Sequence, residues 1–346
     1  MKAVRLHDYH QQPRVEEVSE PTVDGPLDVV VRIGGAGVCR TDLHIVEGQW
    51  ADKTGVELPY VLGHENAGWV HEVGSAVTHV AVGDAVICHP LRTCGLCRPC
   101  RDGNDMHCET QLFPGIDTDG GFAELLKTNA RAVVKLPAGV EPADVAAHAD
   151  AGLTAYHAVK KAGQMGLLYP GSRTVVIGSG GLGHIGVQSL KAISATDVIV
   201  VDRMEAALEQ ARRLGADETV LADGSHVEEV LELTDGGATA VIDFVGEGGA
   251  TSEGFAMLGR DGGYFVVGYG ENLDVPTIDV ISTERSFIGN LVGTYNDLVE
   301  LMTLHAKGQV TLRTHTYPLD AALDAIDDLD RGRVPGGRAI LVPAPG

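Results

Sequence analysis

Short apolar runs set the rhythm of the first part of the chain. Val29–Ile33, Ala67–Val73 and Ala85–Cys88 are each bounded by Gly, Pro or Asp, the pattern of β-strands separated by turns. From Thr174 the rhythm changes. Strand-like Thr174–Ile177 precedes a helical stretch over Gly181–Ile193, and strand-like Asp197–Val201 precedes one near Glu205–Leu214. The alternation continues with strand Glu218–Leu221, helix Val227–Leu233, strand Ala240–Phe244, helix Ala250–Leu258 and strand Tyr264–Val267. Strands and helices alternating at this spacing predict a parallel sheet with helices on both faces. A helix near Asn296–Ala306 and a strand at Ala339–Val342 close the chain.

At 346 residues, two domains are expected, and 44% hydrophobic residues suffice to bury a core. The formal net charge is −22, which repels nucleic acid and anionic membranes, so neither is expected as a partner. The bases divide into 8 Lys and 18 Arg, the acids into 27 Asp and 21 Glu. An Asp-rich, Lys-poor surface resembles proteins of salt-accumulating haloarchaea, whose self-repulsion is screened at molar salt. No apolar run reaches the roughly 18 residues that span a bilayer, and the N-terminal segment has no apolar signal core. A cytoplasmic location is therefore expected, where the 6 cysteines point to metal or catalysis before disulfides.

Residues 174–183 read Thr-Val-Val-Ile-Gly-Ser-Gly-Gly-Leu-Gly. Gly178, Gly180 and Gly183 fit G-x-G-x-x-G, with Gly181 and Leu182 between them. The match follows a strand and opens a helix, the context in which glycines admit a pyrophosphate to a helix N-terminus. Asp202 ends the next strand, 19 residues after Gly183, at the position that accepts bonds from adenosine ribose hydroxyls. NAD is therefore expected, with NADP possible because Arg203 could meet a 2′-phosphate.

Cys94, Cys97, Cys100 and Cys108 give C-x2-C-x2-C-x7-C. Four thiolates so close in sequence can close around one tetrahedral Zn²⁺, a structural site. A disulfide pair and an iron–sulfur cluster are the other readings of such spacing. Three further segments carry ligand-type residues: Gly37–His44, Gly63-His64-Glu65 and Ala149–Thr154. Taken singly, Cys39 reads as a small core residue, His64 as a hydrogen-bonded histidine and Asp150 as a helix cap.

Together, these five motifs resemble the medium-chain zinc-dependent alcohol dehydrogenase family, from Met-Lys-Ala-Val at the start to Gly-Gly-Arg-Ala-Ile-Leu-Val at Gly336–Val342. The subgroup most similar is that of microbial secondary-alcohol dehydrogenases, in which an Asp replaces one zinc-ligand Cys. The resemblance implies an α/β fold: a Rossmann doubly wound parallel sheet over 153–290, and a β-rich, GroES-like catalytic domain over 1–152 to which 291–346 returns. It implies two zinc ions per chain, one held structurally by the four cysteines. The other is catalytic, held by Cys39, His64 and Asp150, with Glu65 able to ligate transiently and Asp42 orienting His64. Thr41 and then His44 would relay the substrate proton. Arg40 and Arg338 would contact the pyrophosphate, Thr154 and Leu182 would press on the nicotinamide, and Val267 and Val292 would lie near its carboxamide.

By position, Trp50, His89, Leu112 and Leu291 line the substrate pocket. The expected reaction interconverts primary or secondary alcohols with aldehydes or ketones, a polyol or sugar dehydrogenase being the alternative. A zinc-free reductase of the superfamily would lack the cysteine loop and ligand set. A non-catalytic dinucleotide sensor would have lost Cys39, His64 or Thr41, and all three are present. Cys88 reads as core. A homodimer or homotetramer is expected, with Ser286–Ile288 as an edge strand able to pair between copies.

Overall fold

The computed structural model describes residues 1–334 and 337–344. Gly336, the first residue of the closing motif, and the last two residues of the expected 291–346 segment lie outside them. The chain divides into two compact units: Met1–Ala151 with Thr294–Ala306 and Leu312–Gly346, and Gly152–Gly293 with Lys307–Thr311.

The first unit is built on strands. Its seven-stranded sheet runs in the order Thr314–Pro318, Arg338–Val342, Asp28–Val38, Glu65–Val73, Ala85–Cys88 and Val133–Lys135, with Leu125–Asn129 also paired to Asp28–Val38. A smaller sheet orders Arg14–Glu17, Lys2–Leu6 and Tyr60–Val61. Val4, Leu6, Val29, Val31, Ile33, Leu62, Val86 and Phe122 fill the core between them. Phe122 has no exposed surface; cutting such a ring to Ala costs about 3–5 kcal/mol. The long central strand Asp28–Val38 delivers Cys39 to its end, and the antiparallel pairing Gly37↔Glu65 brings the Gly-His-Glu motif alongside.

The second unit holds a six-stranded sheet in the order Glu218–Leu221, Asp197–Asp202, Arg173–Ile177, Ala238–Asp243, Leu258–Val266, Ser286–Gly289, and every pairing is parallel. Numbered along the chain, this is the doubly wound order 3-2-1-4-5-6, with its switch point flanking Arg173–Ile177. Successive side chains of a strand face opposite layers. Thus Val176, Val200 and Ile242 enter one core, and Val175, Val201 and Val241 the other. This explains why these strands read as unbroken apolar runs rather than alternating ones.

Three expectations are corrected. The helix at Ala250 ends at Ala256, and Leu258 opens a strand running to Val266. Leu258 pairs with Ala238 across a bulge, so ladder hydrogen bonds override its helical periodicity. The helix of the glycine motif begins at Gly183, not Gly181. Lys307–Thr311 belongs to the second unit although 291–346 was expected to stay with the first. The fastening is specific: the Thr311 amide donates to Gln188 Oε1 at 3.0 Å, and Gln188 Nε2 donates to the Thr311 carbonyl at 3.0 Å. Among the described residues no helix is long and apolar enough to cross a membrane.

Candidate active site

Three separated segments of the first unit bring donor atoms of Cys39, His64, Glu65 and Asp150 within 4.8 Å of one another. Cys39 ends the central strand and precedes the helix Arg40–Val46. His64 follows Gly63, whose φ of +99° and contact with Phe122 leave no room for a side chain. Asp150 closes a helical turn, Ala146–Ala149, packed against the strands. His64 is fully buried, with Nδ1 3.3 Å from Asp42 Oδ1 and Nε2 3.5 Å from Asp150 Oδ2. Neither ring nitrogen makes a well-directed hydrogen bond. A buried imidazole of this kind lacks an electrophile. Its Nε2 is turned to a thiol and a carboxylate, which is the donor set of a catalytic Zn²⁺ with a position left for substrate. Burial opposes charging the ring, but Asp42, Asp150 and Cys39 outweigh it and draw the His64 pKa above its ordinary value. A bound Zn²⁺ takes the place of that proton.

Asp42 joins two ligands. Its Oδ2 accepts from the Cys39 amide at 2.8 Å while Oδ1 faces His64. Phe113 sets its edge against the imidazole, with ring centroids 5.9 Å apart. Thr41 and His44 are half-buried and lie one turn apart on the helix Arg40–Val46, hence on one face; Arg40 is exposed.

Glu65 is wholly buried. Both its oxygens accept from Arg338 at 2.6 Å, and Oε1 also accepts from the Ala151 amide at 3.1 Å. Burial disfavours charge on Arg338, but Glu65 and Cys39 hold it protonated, while burial pushes the Glu65 carboxyl up against the pull of Arg338. Arg338, expected at the pyrophosphate, is thus 4% exposed and engaged with Glu65. Through Ala151, Glu65 also fixes the residue next to Asp150.

Cys94, Cys97, Cys100 and Cys108 form a second cluster within the same 4.8 Å limit, around the short helix Arg98–Arg101. Leu96 and Cys97 amides donate to Cys94 Sγ at 3.4 and 3.3 Å, and the Cys94 amide donates to Cys108 Sγ at 3.3 Å. The Leu96 and Cys97 amides pull the Cys94 thiol down to about 6. Burial pushes Cys100 up to about 12, a proton that a divalent cation displaces. With four thiols and no fifth donor, the cage suits a structural Zn²⁺. Cys88 is core, 3% exposed, and burial pushes it up to about 12.

In the second unit, Gly178 has φ +82°, and a Cβ on Gly183 would collide with the Gly178 carbonyl, whereas one on Gly180 would meet nothing within 4 Å. The turn is therefore tight underneath and open above, as a pyrophosphate requires. Asp202 Oδ2 accepts from the Ser179 amide at 2.8 Å and Oδ1 from Met204 at 2.9 Å, fastening this turn. The Arg203 guanidinium donates to the Gly248 carbonyl, so it is tied to the next loop. A cavity of about 150 Å³ opens at these strand ends, bordered by Gly178, Asp202, Arg203, His226, Glu253 and Met257. Thr154 is buried and Leu182 and Val267 are half-buried. Val292 is 7% exposed at φ +47°, a strained backbone for a β-branched residue.

The four pocket candidates scatter in environment. His89 is 2% exposed and lies against Tyr295, Trp50 is half-buried against the first unit's core, and Leu112 and Leu291 are exposed. Sequence reasoning missed Phe113, the Glu65–Arg338 pair, and His226 with Glu253. Only the positions of these residues in the folded chain connect them, and no local motif marks them.

A thiolate–imidazole–carboxylate cage, a separate four-thiol cage and a doubly wound nucleotide unit together define a zinc-dependent dehydrogenase. Residues 25–138 match the alcohol dehydrogenase GroES-like domain, and residues 181–307 match the zinc-binding dehydrogenase domain. An NAD-dependent alcohol dehydrogenase of Sulfurisphaera tokodaii is 36% identical, with 99% of this chain and 100% of that one aligned. The crystal structure of the alcohol dehydrogenase of Aeropyrum pernix superposes with a TM-score of 0.95 at 48% identity, covering 99% and 100% of the two chains. The D-arabinose dehydrogenase of Sulfolobus solfataricus superposes with a TM-score of 0.85 at 32% identity, covering 99% of each. The chain belongs to the zinc-dependent alcohol dehydrogenase family.

Proposed function

We propose that the protein interconverts primary or secondary alcohols with aldehydes or ketones, using zinc and NAD. One observation carries the reading: the buried His64 Nε2, without a directed hydrogen bond, converges with the donor atoms of Cys39 and Asp150. Zinc would be held there by those three residues and would supply Lewis acidity, and a bound nicotinamide would supply a hydride acceptor. Thr41 Oγ1 accepts the proton of the substrate hydroxyl as its own hydroxyl proton leaves toward His44, which passes a proton on to solvent. Glu65, paired with Arg338, keeps the region around Asp150 rigid. Trp50, His89, Leu112 and Leu291 remain the candidates for shaping the substrate pocket, and Arg40, Thr154, Leu182, Val267 and Val292 for holding the cofactor.

The test follows reduced-nicotinamide absorbance with ethanol, 2-propanol, benzyl alcohol, glucose and D-arabinose, with NAD and with NADP, before and after chelation. Turnover of the simple alcohols that chelation abolishes supports the proposal. Turnover of sugars alone would transfer it to the sugar-dehydrogenase alternative, the activity named for the D-arabinose dehydrogenase relatives.

Net charge and sheet topology support three finer readings. With a net charge of −22, the enzyme works at molar salt in a cytoplasm that accumulates it, and activity rises with KCl. An enzyme fastest in dilute buffer contradicts this. The edge strand Ser286–Gly289 supports a homo-oligomer in which copies pair edge to edge. The charge argues against nucleic acid and membranes as partners.

A further inference from the structure

We propose that Asn66 is a positioning residue for the catalytic centre: it holds the Gly63–His64 peptide in the orientation that turns the imidazole to the metal, and Gly121 lacks a side chain to make room for it. The inference rests on the zinc-dependent reading above.

Asn66 is 2% exposed, and the residues paired with it on the flanking strands are Ala36 and Cys88. One of its two polar atoms is used: Nδ2 donates to the Gly63 carbonyl at 3.1 Å. The other, Oδ1, is buried without a hydrogen-bond partner. A buried acceptor left unpaired is unfavourable, and an apolar side chain of the same size would avoid it. What an apolar residue would lack is the single bond from Nδ2. That bond ends on the carbonyl of the residue preceding His64.

The Gly63 carbonyl also accepts from the Gly121 amide at 2.8 Å. Its two lone pairs are thus both engaged, one by backbone and one by Asn66. Donors from two directions fix the rotation of the Gly63–His64 peptide plane, and with it the direction in which the His64 side chain leaves the backbone. Gly121 belongs to the same device. A Cβ there would collide with Asn66 Oδ1, and the three atoms nearest to it all belong to the Asn66 amide. Gly121 does not lie in the left-handed region, so room for Asn66, not backbone conformation, excludes a side chain.

The experiment follows zinc release from the full chain to a chelator, with Tm and with the d–d absorption of cobalt(II) loaded in place of zinc. Wild type is expected to release two ions, the catalytic one being the phase absent from His64→Ala. Asn66→Leu removes the bond and the unpaired acceptor together while keeping the volume. It should speed catalytic-ion release about tenfold and shift the cobalt bands, leaving the thiolate-held ion and Tm unchanged. Gly121→Ala should speed the same phase by displacing Asn66. The double variant Asn66→Ala with Gly121→Ala should release that ion no faster than Asn66→Ala alone, because the collision has gone. Unchanged catalytic-ion release in Asn66→Leu, or faster release from both sites in step with a lower Tm, overturns positioning by Asn66 and leaves the zinc reading intact. Should Asn66→Leu not fold, additive effects of Asn66→Ala and Gly121→Ala overturn it equally. A wild type that takes up fewer than two ions overturns both.

Discussion

The two metal cages of the first unit are built in opposite ways. The thiolate cage spans 15 residues, Cys94 to Cys108, and amides of its own loop point at its sulfurs. The Cys39–His64–Asp150 cage draws on a strand end, a loop and a helical turn, and it is braced by Asp42, Glu65 and Arg338. A local cage is assembled from sequence-adjacent parts and holds a surface loop in shape. A dispersed cage exists only where the whole sheet is in register, so its donors can differ in kind and leave a side open for chemistry.

Selective damage to each cage tests this contrast. His64→Ala should produce the largest effect. Turnover should fall about 10³-fold or more, with zinc content dropping from two ions per chain to one. Retention of both ions would undo the assignment. Cys97→Ser should also remove one ion, but the loss should appear as stability. About 3 kcal/mol lost lowers Tm by roughly 4 °C in a chain of this size, while kcat in the cold stays nearly unchanged. A variant that is inactive at unchanged Tm would show that the loop serves catalysis. Asp42→Asn should weaken one ion only, by roughly 10- to 100-fold in chelator competition, because the carboxylate orients His64. Equal weakening of both ions would refute that role. Gly95→Ala is the mildest. Gly95 has φ +70°, and a Cβ would press on the Arg131 guanidinium, so about 1 kcal/mol should be lost and zinc release should quicken only from the thiolate cage. Unchanged release would mean the loop relaxes freely.

The same contrast governs what could be read from the sequence. The cysteine loop and the glycine turn were legible because spacing along the chain is their geometry. Strands such as Asp197–Asp202 were legible from unbroken apolar runs. Leu258 was misplaced because its helical spacing yields to pairing with Ala238. Arg338 was expected at a pyrophosphate, yet its partner Glu65 lies 273 residues away, where no periodicity reaches. Asp202 was placed at the ribose, but its hold on the Ser179 amide depends on how a turn folds back. The pairing of His226 with Glu253 is invisible for the same reason.

The Glu65–Arg338 pair also has a bearing on how the protein is made. During synthesis from the N-terminus, the four thiols emerge together and can take up zinc as soon as their loop clears the ribosome. Cys39, His64 and Asp150 emerge early as well, but Glu65 has no counter-charge until the last strand, Arg338–Val342, has been translated and has zipped onto Asp28–Val38. An uncompensated buried carboxylate is strongly unfavourable. Nascent chains therefore carry one finished metal site long before the other, and the reactive centre is completed only after the entire nucleotide unit has been translated.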